Sequence, residues 1–373
     1  MMKILVCTPE YPPLYSSGIG NVVYSLKREL ELLNIDFDIC STIGSDIELC
    51  VGPISKKFVN FRSIYVSYYW YLAKNYVSSN SGKYDLIWVH DPMPFFLNKI
   101  PKDTPLLITF HTILSNYLEY SRYPRPILKY IKKLERNALE NCTENTAIVA
   151  VSKKVADEIL QLGANRRNVC VIPNGISTDE FKPSQDKMAF RKMLGLPEKD
   201  IILLSLGKIK EQKQPLKLIK IFSELEKRIN NIHLIVIGKG HLLEKMKSYS
   251  NAIGIKNVTY LGYVSSTKEF YAASDYFIMT SSYEGLPLTV LEAMSSGLPC
   301  IVSNIPNLKF VEESGSGITI NPDDTHSCAD KMIELFKSND VDLIAENARS
   351  FCLKFDWSKI AELYSAEFLK LKK

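Results

Sequence analysis

The stretch Tyr276–Ser303, YFIMTSSYEGLPLTVLEAMSSGLPCIVS, decides the fold. Tyr276–Met279 and Cys300–Ser303 are short, apolar and uncharged, the pattern of strands buried on both faces. Between them Pro287 pre-sets a first helical turn, and Gly297 with Pro299 stops the helix Leu288–Ser296. Strand, helix and strand in so short a span mean neighbouring parallel strands with the helix laid across them.

The same rhythm runs outward in both directions. Ile201–Leu206, Ile232–Ile237 and Val258–Leu261 read as strands, with helices at Pro215–Arg228, His241–Ala252 and Lys268–Ala273. An earlier series has strands Ile4–Thr8, Asp36–Cys40, Leu86–His90, Leu106–His111, Ala147–Val151 and Val169–Ile172, and helices that include Asn21–Leu33 and Ile127–Asn141. The fold expected is α/β, with two doubly wound Rossmann-like parallel-sheet domains. The polar, Pro-containing stretch Phe181–Ser184 separates the series, placing one domain at 1–182 and the other at 183–355. Asp356 or Ser358 caps a last helix whose apolar stripe is Ile360, Leu363, Tyr364, Phe368 and Leu371.

Composition narrows the class. The chain has 373 residues, room for two domains, and its 46 % hydrophobic and 23 % charged content is that of a folded globular protein. The longest charge-free runs, Tyr11–Leu26 and Ala293–Leu308, contain Gly and Pro, against a membrane span. The apolar run at the start is too short for a secretory signal. Eight cysteines without a C-x-x-C pair suit reduced thiols, and the expected location is cytoplasmic. A net charge of +5 does not by itself imply nucleic acid, and none is expected as a partner.

Several motifs carry chemistry. Gly18-Ile19-Gly20 and Gly238-Lys239-Gly240 lack the third glycine of a dinucleotide fingerprint, so neither supports NAD. Gly18, just ahead of a helix, lets backbone amides approach an anion. Asp36-Phe37-Asp38 has the form of a metal-binding D-x-D, but the alternation Ile35–Ile39 is also what a half-exposed strand produces. Glu284 precedes a helix and Glu292 lies a turn inside it, roughly 12 Å apart at helical rise. That reach matches a ribose, a diphosphate and a sugar in line, with backbone amides around Leu288, Thr289 and Val290 free for phosphate. A cap and a solvated helix residue would give the same spacing. Lys208, Lys210 and Lys213 follow the strand Ile201–Leu206, where such folds bind ligands, although a solvated loop has this composition too. His90 and His111 end adjacent strand candidates, facing the expected crevice, either as polar termini or as a functional pair. Arg122, Arg125, Lys129, Lys132, Lys133 and Arg136, interleaved with Tyr117, Tyr120, Tyr123 and Tyr130, form a basic aromatic helix. It suits either the anionic inner face of the cell membrane or open solvent.

Taken in order, these motifs resemble a retaining glycosyltransferase of the glycogen-synthase-like group, glycosyltransferase family four, with the GT-B fold. The likeness spans nearly the whole chain. It is carried by Pro12-Pro13 with Ser17-Gly18-Ile19-Gly20, by Ala150-Val151-Ser152, and by Pro173-Asn174-Gly175-Ile176. It continues through Gly207-Lys208 with Lys213, Leu261-Gly262-Tyr263, Glu284 with Glu292, and Phe355-Asp356-Trp357. Ser17 replaces the first Gly of the usual pair, Ser177 a commoner Asp, and Lys208 the usual Arg.

The resemblance implies an N-terminal acceptor domain completed by the crossover helix 356–373, a C-terminal nucleotide-sugar domain, and a cleft between them. It implies that Lys208 and Lys213 hold the donor diphosphate, assisted by backbone near Thr289 and Val290. Glu292 would accept the ribose hydroxyls and Glu284 would contact the transferred sugar. Gly18 would approach a phosphate, His111 would face the anomeric centre, and backbone at Gly262 and Tyr263 would meet the base. No cofactor and no metal are expected, the nucleotide diphosphate sugar being the donor substrate, with a UDP-sugar ahead of GDP-mannose. The acceptor expected is a cell-surface glycan or a lipid-linked molecule, read by the N-terminal domain and loops such as Tyr65–Tyr76. A sugar-nucleotide 2-epimerase and a non-catalytic sugar-nucleotide-binding subunit are the rival readings.

Overall fold

The structure, a computed structural model, describes residues 2–12, 18–41, 45–49, 62–98, 100–120 and 123–372. By contacts the chain forms two units, Met1–Gly175 with Trp357–Lys373, and Ile176–Asp356. Each holds one wholly parallel sheet.

In the first unit, β1 (Met2–Cys7), β2 (Ile35–Ser41), β3 (Ile47–Glu48), β4 (Leu86–His90), β5 (Leu106–Phe110), β6 (Thr146–Ala150) and β7 (Val169–Val171) stand in the order β3-β2-β1-β4-β5-β6-β7. In the second, β8 (Ile201–Leu206), β9 (Ile232–Ile237), β10 (Val258–Gly262), β11 (Tyr276–Met279), β12 (Cys300–Ser303) and β13 (Gly317–Ile320) stand in the order β10-β9-β8-β11-β12-β13. In each sheet the chain first winds one way and then returns to the other side of its first strand. The switch points therefore lie between β1 and β4, and between β8 and β11, where folds of this kind bind ligands.

Two-sided burial explains the near-continuous apolar strands. Ile202, Leu204, Ile235, Phe277 and Val302 enter one core of the second unit. Their alternates Leu203, Leu234, Val236, Ile278 and Ile301 enter the other. Helices begin where the sequence supplies caps: Ser152 Oγ accepts the Val155 N–H at 3.3 Å ahead of Lys153–Gln161, and Asp186 Oδ1 accepts that of Ala189 at 2.8 Å ahead of Lys187–Leu194.

The last helix, Trp357–Leu371, belongs to the first unit. Tyr364 and Phe368 are buried, their rings 5.0 and 5.2 Å from Trp88. Gly175 sits so close to Trp357 that an added Cβ would lie 2.2 Å from the indole, so the Asn-Gly of that motif is a packing requirement.

Three expectations need correction. The units divide after Gly175, ahead of Phe181–Ser184. Residues 176–181 are stitched into the second unit, where Ile176 N–H donates to the Phe355 carbonyl at 2.8 Å and Arg349 donates to the carbonyls of Thr178 and Phe181 at 2.8 and 2.9 Å. The first helix starts at Gly18, three residues before Asn21, because packing of Gly20, Val22 and Val23 outweighs the poor helix propensity of the two glycines. Tyr65–Tyr76 is no loop but the middle of a helix, Arg62–Asn80, with Tyr65, Tyr69, Trp70, Ala73 and Val77 buried along one side. Pro13 and Ser17 of the glycine loop, and Arg122, lie outside the described residues.

Candidate active site

In the second unit three loops leave the carboxyl ends of β8, β9 and β10 and are tied to one another. Gly207 N–H donates to Ile237 C=O at 3.0 Å, Ile209 N–H to Lys239 C=O at 2.9 Å, and Gly238 N–H to Gly262 C=O at 2.7 Å. The contact demands glycine at 238. Its φ is +147°, and an added Cβ would lie 1.8 Å from the Gly207 carbonyl oxygen. This is why Gly238-Lys239-Gly240 resembles a phosphate loop without being one.

The loop after β8 also grips the loop after β11, across the switch point. Thr280 Oγ1 donates to Lys213 C=O at 2.9 Å, Ser282 N–H to Gln212 C=O at 2.8 Å, and the Gln212 side-chain amide to Tyr283 C=O. These contacts set Lys213 Nζ 2.7 Å from Glu284 Oε1, with the two side chains 20 % and 9 % exposed. Asn307 donates its amide to the Glu284 carbonyl and fixes the backbone there. A largely buried pair of this geometry holds both groups in place, and removing one partner strands the other charge. Lys208 is exposed on the same loop.

Glu292 lies inside the helix Leu288–Ser295. Its Oε2 accepts the hydroxyl of the wholly buried Tyr271 at 2.7 Å. Burial pushes the Glu292 carboxyl up to about 7, with the Tyr271 hydrogen bond pulling down and Glu180 adding to the rise. Of the first-turn amides expected to be free, Val290 is not: its N–H donates to Pro287 C=O at 3.2 Å, because the helix opens with a tight turn. Leu288 and Thr289 precede that first bond, so their amides remain the anion-facing ones. Among the described residues the Thr289 and Ser281 hydroxyls are buried without a protein partner, polar groups that a ligand or water must satisfy. Gly262 has φ +67° with open space where a Cβ would stand, and Tyr263 beside it is 60 % exposed with Lys239 Nζ 5.2 Å from its ring centre.

In the first unit His90 ends β4 and His111 directly follows β5. They are buried and stacked at 5.4 Å, with His90 Nδ1 3.1 Å from His111 Nε2. Burial lowers both, His111 to about 4 against an opposing Asn174 hydrogen bond, so near pH 7 the rings are neutral and share one hydrogen. Asp91, which the sequence reading passed over, adopts φ +44°. Its Oδ1 accepts the N–H of His111 at 2.7 Å and of Thr112 at 3.5 Å. Burial raises the Asp91 carboxyl to about 7. A strained Asp next to a histidine pair at a switch point was detectable only as the dipeptide His90-Asp91. Gly18 is exposed, with nothing near a built Cβ. The D-x-D pair is structural: Asp38 accepts the Tyr84 hydroxyl at 2.8 Å and pairs with Lys3 at 3.1 Å. Among the described residues no three His, Cys, Asp or Glu side chains group as metal ligands, and no helix is long and apolar enough to cross a membrane.

Two wholly parallel, doubly wound sheets give the GT-B fold, and the family matches make the chain a glycosyltransferase. Residues 16–180 match the family described as Glycosyltransferase Family 4 and residues 186–351 that described as Glycosyl transferases group 1, one in each unit. Among similar proteins, the UDP-Gal:alpha-D-GlcNAc-diphosphoundecaprenol alpha-1,3-galactosyltransferase of Escherichia coli is 29 % identical over 93 % of this chain and 92 % of its own. The alpha-monoglucosyldiacylglycerol synthase of Streptococcus pneumoniae is 26 % identical over 82 % and 72 %. Sucrose-phosphate synthase of Thermosynechococcus elongatus superposes with a TM-score of 0.79 over 100 % of this chain and 99 % of its own at 19 % identity, a likeness of fold.

Proposed function

We propose that the protein is a metal-independent, retaining hexosyltransferase that moves a sugar from a nucleotide diphosphate, a UDP-sugar ahead of GDP-mannose, to a lipid-linked or cell-surface glycan acceptor. The observation that carries this reading is the Lys213–Glu284 pair at the β8/β11 switch point. Cleaving an anomeric C–O bond leaves negative charge on the diphosphate. Lys208, Lys213 and the amides of Leu288 and Thr289 meet that charge, each hydrogen bond to it contributing about 1.5–3 kcal/mol. Glu284 orients Lys213 and receives sugar hydroxyls, Glu292 receives those of the ribose, and backbone at Gly262 and Tyr263 lies against the base. His111 and Gly18 serve the transferred sugar and its phosphate from the first unit. The relatives support a lipid-linked acceptor, since one is named for a diphosphoundecaprenol and another for a diacylglycerol.

The helix Arg125–Glu140 supports peripheral membrane contact. Arg125, Lys129, Lys132, Lys133 and Arg136 are exposed beside Tyr123, Ile127 and Tyr130, which are 44 %, 44 % and 64 % exposed. Anionic lipid is attracted by about 1 kcal/mol for each such cation.

The test is turnover of a panel of UDP- and GDP-sugars with diphosphoundecaprenol- and diacylglycerol-linked acceptors in EDTA. Transfer with retained configuration is expected. Strict manganese dependence, inversion, or epimerisation of the donor without acceptor would overturn the reading, the last in favour of an epimerase.

A further inference from the structure

We propose that Glu135 is a positioning residue for His111, holding the segment that follows it; the inference rests on the reading that His111 acts in transfer. Glu135 is the one acid between Arg125 and Glu140, and it turns away from the basic face. It is 7 % exposed, with Ala138 and Leu139 the other buried residues of that helix. Its Oε1 accepts the N–H of Ser115 at 3.2 Å, and Ser115 is itself 4 % exposed. Burial pushes the Glu135 carboxyl above its ordinary range, and hydrogen bonds from Ser115 and the Leu114 amide pull it back.

The segment from His111 to Ser115 is therefore held at both ends by carboxylates from other elements. Asp91, at the end of β4, takes the amides of His111 and Thr112. Glu135, from the helix Arg125–Glu140, takes the amide of Ser115, at the opening of the short helix Leu114–Tyr120. Between the two anchors the Ile113 carbonyl accepts the Tyr117 N–H at 2.9 Å. Packing alone does not call for an acid here, since burying a carboxyl costs free energy that only its hydrogen bonds offset. A carboxylate aimed at amides that a helix start leaves unbonded instead fixes the direction of the chain. His111 is four residues from that anchor, and a displacement of about 1 Å at a reacting group can cost about a hundredfold in rate.

The test compares wild type with Glu135→Leu, which keeps the volume, Glu135→Asp, which keeps the charge but withdraws it by one methylene, and Glu135→Gln, which keeps the acceptor. Three quantities are read: amide hydrogen exchange across residues 112–117, the His111 imidazole 15N resonances, and kcat and KM for hydrolysis of UDP-galactose. In Glu135→Leu, exchange should rise and the His111 resonances should move. Its kcat should fall at least about tenfold with donor KM within about twofold, as expected when a reacting group is misplaced without loss of ground-state binding. Glu135→Gln should restore all three, and Glu135→Asp should fall between, which decides the matter if Glu135→Leu does not fold. Unmoved His111 resonances in a folded Glu135→Leu or Glu135→Asp would overturn the proposal, as would Glu135→Gln behaving like Glu135→Leu. A wild type that neither transfers from nor hydrolyses any UDP- or GDP-sugar would defeat the functional reading alone, because exchange and resonances still report on the contact.

Discussion

Lys213 and Glu284 are 71 positions apart, and no period in the sequence links them. Their residue types and loops were legible: a lysine run after one apolar strand, a glutamate before a helix after another. The 2.7 Å contact was not, because it depends on which strands become neighbours. The pairing has a consequence for variants. Lys213→Ala leaves the Glu284 carboxylate without its cation, and should cost about 3 kcal/mol of second-unit stability. It should also lower turnover about a hundredfold, the equivalent of one lost charged hydrogen bond. Unfolding and initial-rate measurements on Lys213→Ala and Lys213→Arg check both figures. Glu292 gives a pH signature. Its folded carboxyl titrates near 7 against an ordinary 4.5, so in that window the folded chain keeps a proton that the unfolded chain has lost. Stability from this group therefore falls as pH rises through the window and levels off above it. Glu292→Gln removes the effect, so thermal unfolding should show the variant gaining on wild type between about pH 5 and about pH 8. A constant difference would contradict the assignment.

At the scale of elements, the strands were the easiest to read and one long helix the hardest. Buried parallel strands must be apolar on both faces, and that leaves a dense sequence mark. The helix Arg62–Asn80 buries Tyr69 and Trp70 but exposes Tyr68 and Tyr71 at 42 % and 52 %, so aromatic residues surround it and no polar stripe reveals its inner side. β3 has only two residues and left no pattern, while in β13 Gly317 and Thr319 interrupt the apolar run. The knot of loops after β8, β9 and β10 depends on Gly238, packed against the Gly207 carbonyl, and on Gly240, packed against that of Ile209. Gly238→Ala places a methyl group against the Gly207 carbonyl and should cost about 1–3 kcal/mol, with donor affinity falling as the loop shifts. Chemical denaturation and UDP titration would detect the two effects. On the basic helix, Lys129→Glu with Lys132→Glu and Lys133→Glu should abolish sedimentation with anionic vesicles while leaving the fold intact, since the three side chains are exposed. Equal sedimentation of both proteins would remove the membrane reading.

For the whole molecule, alternating strands and helices made two doubly wound domains legible. The exact divide was not, because a Pro-containing polar stretch marks a loop and not where contacts change owner. Residues 176–181 belong with the second unit through bonds to Phe355, Asp356 and Arg349 that lie far along the chain. The last helix shows the same principle in reverse. Its apolar stripe was visible in Ile360, Tyr364 and Phe368, whereas Leu363 is exposed, and its return to the first unit rests on Phe368 reaching Trp88 and Phe37. Phe368→Ala should therefore destabilise the first unit by about 3–5 kcal/mol and leave the second unit's unfolding unchanged. Calorimetry would resolve this as movement of one transition.

The central claim is that ammonium groups and helix-terminal amides at the β8/β11 switch point, with no divalent ion, receive the donor's pyrophosphate. Calorimetric titration of the UDP- and GDP-sugar panel into wild type and Lys213→Ala, both in EDTA, measures it most directly. Binding by wild type that weakens at least about tenfold in the variant is the predicted result, the lower bound for one charged hydrogen bond. Affinity that is unchanged in Lys213→Ala, or that appears only when manganese is added, would contradict it.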